Sequence, residues 1–165
     1  MGTEDRLFEQ LNKLRGSKTL IVGIGNLLKA DDAAGPMVCR KLQSANVSAE
    51  IIDAGTVPEN YIQTIIKKAP QNLLVVDAID FSDSAGTINI FRPEQLNSLI
   101  ISTHTLSPRL FVDMIAQVIE VNMYFVGIQP AQTKLAAAIS EQVTGAVERL
   151  VGILAAIFPP GTKKL

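Results

Sequence analysis

Residues 18–36 read KTLIVGIGNLLKADDAAGP, and this stretch decides the fold. Residues 18–24 form an apolar, β-branched run with almost no polar interruption, which predicts a strand hidden on both faces. A turn containing Gly25 follows, then a helix from about residue 33 to 43. Strand, glycine turn and helix in that order open a parallel α/β unit. The same alternation continues outward. Residues 49–53 and 72–78 predict further buried strands, with a core-facing helix over 59–68 between them. Residues 87–91 alternate apolar with polar after a turn rich in Asp, Ser and Gly, the pattern of a half-exposed strand. A helix with proline in its first turn is predicted over 108–118, a strand over 121–128, and a closing helix over 140–157 capped by Ser140. Leu7, Leu11 and Leu14 fall on one face of an opening helix.

Together these elements predict one α/β domain spanning 1–165. It is a three-layer helix/sheet/helix sandwich around a mostly parallel, twisted five-stranded sheet with one antiparallel edge strand. Residues 1–15 read as an N-terminal helical extension without an evident role, 18–158 as the main domain and 159–165 as a flexible tail.

Composition removes several classes of function. The chain has 165 residues with 15 basic and 16 acidic side chains, a formal net charge of −1. That balance offers no electrostatic footing for nucleic acid or an anionic membrane. One cysteine, Cys39, excludes an internal disulfide and any multi-cysteine zinc or iron–sulfur site, and its place on a helix face suits a buried thiol. The charged, amphipathic first residues do not resemble a signal peptide, and the apolar run 151–158 is too short to span a bilayer. A cytoplasmic, monomeric protein without membrane insertion is the expectation.

Sites in open α/β sheets form beyond the carboxyl ends of the strands. That rule gathers Asp31 and Asp32 after the first strand, Asp53 at the end of the second, and Asp77 and Asp80 at the end of the third. The only histidine, His104, lies in a polar loop, STHT over 102–105. Gly23 and Gly25 suggest a dinucleotide loop, but Leu28 stands where the third glycine belongs, and two aspartates would repel a pyrophosphate. Asp32, Asp77 and His104 instead offer two oxygens and a nitrogen from three separate loops, a set able to hold a divalent ion with a position left open. Each residue also has a plain structural reading. One of Asp31 and Asp32 caps a helix, His104 is incidental, and Asp53 bonds amides of its own loop.

Five segments resemble the hydrogenase maturation proteases: GIGNLLKADDAAGP over 23–36, DAGT over 53–56 followed by PEN over 58–60, VDA over 76–78, TH at 103–104 and GIQP over 127–130. They stand in the same order across nearly the whole chain, and the last resembles the branch serving hydrogenase 3. The resemblance implies a metal-reading, aspartate-dependent endopeptidase. Its ligand and catalytic positions fall on Asp32, Asp77 and His104, and its substrate-binding positions on Gly25, Asn26, Asp31, Asp53, Gly55, Thr56 and Thr103. The implied partner is the precursor of the nickel–iron hydrogenase large subunit, which carries the nickel and loses a short C-terminal peptide. Zinc or cadmium would substitute in vitro. Ala54 departs from the glycine common in the second loop. A nickel-sensing chaperone that binds the precursor without cutting it, and a nucleotide-binding module, are the competing readings.

Overall fold

The structure is a computed structural model that describes residues 2–101 and 106–161. His104, Thr103 and the last four residues of the tail lie outside the described residues. The strand called over 18–24 is β1, Thr19–Ile24, buried along its whole length. A short 3-10 turn, Ala30–Ala33, leads into helix α2, Ala34–Ser44. Strand β2, Glu50–Gly55, a second 3-10 turn at Pro58–Tyr61 and helix α3, Ile62–Lys68, come next. Strand β3, Asn72–Asp80, is the longest, running two residues beyond its predicted end. Strand β4, Ile88–Phe91, a third 3-10 turn at Pro93–Ser98, the two-residue β5, Ile100–Ile101, helix α4, Pro108–Ala116, strand β6, Asn122–Ile128, and helix α5, Glu141–Ile157, follow. Helix α1, Thr3–Asn12, precedes them all.

The strands lie in the order β2-β1-β3-β6-β4. β1 pairs in parallel with β2 and β3, β3 with β6, and β4 at the edge runs antiparallel, against β6. The expected five-stranded arrangement is therefore present, extended by β5, which pairs antiparallel with the end of β3 through Ile79 and Ile101. A two-residue strand has too little pattern to be read from sequence.

Side-chain alternation divides the core into two layers. Ile21, Leu74, Val76, Val126 and Ile128 face α2 and α5. Leu20, Val22, Leu73, Val75, Ile79 and Phe125 face α3 and α4. The opening helix belongs to the first layer: Leu7, Leu11 and Leu14 are buried there. Each buried leucine is worth about 1.5–3 kcal/mol, so α1 is a core element rather than an appendage.

Glycines set how closely α2 rides on the sheet. A Cβ on Gly35 would stand 2.3 Å from the Ile24 carbonyl oxygen and 2.5 Å from that of Val76. Gly35 thus performs the close helix-to-strand approach that a dinucleotide loop assigns to its third glycine, ten residues after Gly25. No described helix is long and apolar enough to cross a membrane.

Candidate active site

From β1 the chain crosses to β2 on one side, then returns to β3 on the other, so the ends of β1 and β3 flank the crevice where chain order switches. Both aspartates of the expected Asp32, Asp77 and His104 set lie there. Asp77 is near the end of β3, opposite Gly127 of β6, and is 3% exposed. Its alternation with Val75 and Ile79 turns it toward the α4 side, where it borders a small cavity lined also by Ile24, Leu106, Phe111 and Phe125. Asp32 is fully buried on the 3-10 turn after β1, which packs against β3.

The β1 loop is shaped to hold Asp32. Gly25 has φ +152°, and a Cβ on it would come within 1.9 Å of the Asp32 carbonyl oxygen, so only glycine fits. Its amide donates to the Gly55 carbonyl at 2.9 Å, joining the first and second loops. The next amide, Asn26 N–H, donates to Asp32 Oδ2 at 2.9 Å, while Asn26 Oδ1 accepts from Leu28 N–H at 2.9 Å. Asn26 therefore positions Asp32 through its backbone and braces its own loop through its side chain.

Asp31 and Asp32 do different work, and neither caps α2, whose N-cap is Ala33 with no side-chain bond. A 3-10 turn advances three residues per revolution, so neighbouring side chains diverge by about 120°. Asp32 faces the β1 loop. Asp31, expected among the substrate-binding residues, is instead fully buried and faces the segment after β6. Its Oδ2 accepts from Ala131 N–H at 2.8 Å, Gln132 N–H at 3.2 Å and Ser140 Oγ–H at 2.9 Å, and its Oδ1 from Ser140 N–H at 2.6 Å. With both oxygens engaged inside the protein, this carboxylate is an internal brace. Substrate binding was the role expected of Asp31, and its four hydrogen bonds all go to the protein's own residues 131, 132 and 140.

The other expected residues of the second loop gather in a shallow groove of about 440 Å³. Gly25 and Asn26 form one wall, and Asp53, Gly55 and Thr56 the other, with Arg40 and Tyr61 at its margin. Asp53 accepts from Gly55 N–H at 3.2 Å, the plain reading of that residue, and also from Arg40 Nε at 3.5 Å. Gly55 adopts φ +56°, with open space where a Cβ would sit.

Gln129 of the GIQP segment had no role assigned from sequence. Its Oε1 accepts from the amides of Phe81 (2.9 Å) and Asp83 (3.3 Å), and its Nε2 donates to Asp80 Oδ1 at 3.1 Å. It clips the chain leaving β3 to the end of β6, just past Asp77. Hydrogen bonds from Ser82 N–H and then Gln129 hold the Asp80 carboxyl below its ordinary range. Cys39 is buried, and its thiol is pushed up to about 12, by desolvation first and then by the nearby Asp53 charge. Such a thiol is a core group, not a nucleophile. Among the described residues no cluster of three metal-binding side chains occurs; the third member of the expected set, His104, is outside them.

The family model for hydrogenase maturation protease, of the HycI type, matches residues 36–157. The chain belongs to the hydrogenase maturation protease family. The matched stretch holds Asp53, Asp77 and His104, and Asp32 lies four residues before it. A putative hydrogenase maturation protease of Methanocaldococcus jannaschii is 31% identical over 158 residues, covering 90% of this chain and 93% of that protein. The hydrogenase 3 maturation protease of Escherichia coli is 30% identical over 131 residues, covering 78% and 83%. Among solved structures, the nickel–iron hydrogenase maturation protease HycI of Thermococcus kodakarensis superposes with a TM-score of 0.81 at 30% identity, over 90% of this chain and 97% of that one. Membership makes the protein a protease and fits the three-layer α/β architecture.

Proposed function

We propose that this protease makes a single cut in the precursor of a nickel–iron hydrogenase large subunit after nickel insertion, releasing a short C-terminal peptide. The observation that carries the reading is the placement of two carboxylates, Asp32 and Asp77, 0% and 3% exposed, on the two flanks of the switch crevice of this family's fold. Two carboxylates on one rim offer oxygen donors of the kind that, with a histidine nitrogen, suit a divalent cation delivered by the substrate.

In this reading nickel is cargo of the precursor. Asp32 and Asp77 supply oxygens to it and His104 a nitrogen, so a precursor without nickel lacks the group that these residues grip. The groove between the first and second loops takes the extended segment next to the scissile bond. Its walls carry backbone of Gly25 and Gly55 without side chains in the way, and polar groups of Asn26, Asp53 and Thr56. Asn26 N–H keeps the Asp32 carboxylate aimed while the segment enters. Zinc or cadmium would occupy the same oxygen and nitrogen donors in vitro.

The test is incubation of the protein with its cognate precursor, nickel-loaded or nickel-free, followed by intact-mass analysis. Loss of one C-terminal fragment from the loaded precursor alone is the expected result, abolished in Asp32→Asn and Asp77→Asn. A loaded precursor that binds yet stays intact would replace the protease reading with the nickel-sensing chaperone.

A further inference from the structure

Single leucines on a protein surface need no explanation. Leu28 and Leu135, each 69% exposed, differ because the loops that carry them are fastened together. Ala136 N–H donates to the Leu28 carbonyl at 2.7 Å, and Asp31 N–H to the Gln132 carbonyl at 3.1 Å. All four partners of the Asp31 carboxylate belong to residues 131, 132 and 140. A buried charge thus fixes a segment whose one apolar side chain packed on the core, among residues 131–139, is the half-buried Ile139. Fixing the backbone that carries apolar side chains before contact lowers the entropy lost on association.

We infer that the loops over 26–29 and 131–136 form a rigid apolar docking platform for the precursor protein, receiving an apolar segment beside its scissile bond. The inference rests on the proposed function for the partner's identity. Position argues for that occupant. Leu27 lines the groove with Gly25, Asn26 and Thr56, and Leu28 stands four residues before Asp32 on the same loop, so the platform continues the groove outward. Shape argues for a macromolecule, since projecting leucines lack the concavity of a small-molecule site. Lys134, exposed beside Leu135, gives the platform a basic margin that favours an acidic flank on the segment received.

The test compares Leu28→Ser/Leu135→Ser with wild type on nickel-loaded cognate precursor, measuring kcat, KM and direct precursor affinity. Leu110→Ser/Val118→Ser on and just beyond α4 serves as the control, replacing another exposed apolar pair elsewhere. The platform variant is expected to melt like wild type and to raise KM and the dissociation constant about tenfold, with kcat unchanged and the control unaffected. Wild-type affinity in the platform variant, or an equal loss in the control, would overturn the inference. If wild type binds the precursor without cutting it, the protease reading fails, and the affinity comparison still decides the platform. A single Leu135→Ser variant, expected to show part of the loss, guards against misfolding of the double variant.

Discussion

Replacing Asp31 by alanine separates its bracing role from a substrate-binding one. The substitution deletes one hydroxyl and three amide hydrogen bonds to a fully buried carboxylate. Bonds to charged groups are worth about 1.5–3 kcal/mol each, so their gross loss is about 6–12 kcal/mol. Two terms offset it. Removing the carboxylate also removes its burial penalty, several kcal/mol. The freed amides of Ala131 and Gln132 belong to exposed residues and recover water once the segment loosens. A net loss of about 3 kcal/mol results, which for a chain of this size lowers Tm by about 6–12 °C.

Asp31→Asn has its own signature. An amide oxygen at the Oδ2 position keeps three acceptor contacts, but the amide nitrogen then confronts Ser140 N–H, donor against donor, at a 2.6 Å contact. About 2 kcal/mol of destabilisation follows, less than for alanine. Urea unfolding with both variants, together with amide hydrogen exchange, reads both numbers. Protection at residues 131, 132 and 140 should fall before that of β1 or β3. Asp31→Ala within about 0.5 kcal/mol of wild type would refute the brace, since surface changes alone move stability that little. So would a loss of stability with protection at those three amides intact.

Gly35→Ala is expected to cost more than 3 kcal/mol or abolish soluble expression, because the new Cβ meets two backbone oxygens that cannot swing aside; thermal melting checks it. The Cys39 thiol, neutral in the fold up to about pH 12 against an ordinary value of 9.0, should resist thiol reagents at pH 8 until urea unfolds the protein. Because its folded value is raised, the stability it contributes is complete below pH 9 and lost as pH climbs toward 12; unfolding curves at pH 8 and 10.5 should diverge less in Cys39→Ala. Gln129→Glu puts a second carboxylate against Asp80 Oδ1, 3.1 Å away, and should destabilise by about 2 kcal/mol at pH 7. Acidification should narrow that gap to wild type as the carboxyl pair takes up a proton, which melts across pH 7 to 4 would show.

Most of the fold was legible because its cause is local. β1 and β3 announce themselves as apolar runs hidden on both faces, and α5 by Ser140, whose hydroxyl does accept from Val143 N–H at 3.3 Å. The bounds of β3 were less legible, because its last turn-ward residues, Ile79 and Asp80, are held by pairing with β5, which no short sequence window contains. The helix α1 was legible as an amphipathic segment but not as core, since its partners on α5 lie well over a hundred residues away. Of the candidate site, the rim rule located Asp32, Asp53 and Asp77 at strand ends without knowledge of side-chain contacts. Asp31 shows where such a rule stops. In sequence it is the twin of Asp32, with the same chemistry at the same helix entrance. The division of labour between them comes from the rotation of a 3-10 turn, and from a serine 109 residues further on that donates to the carboxylate of Asp31. The same distance hid the loop pairing that fixes Leu28 beside Leu135. A family motif preserves residue types at a rim, and only the fold tells which of two adjacent carboxylates faces the crevice and which one holds its wall in place.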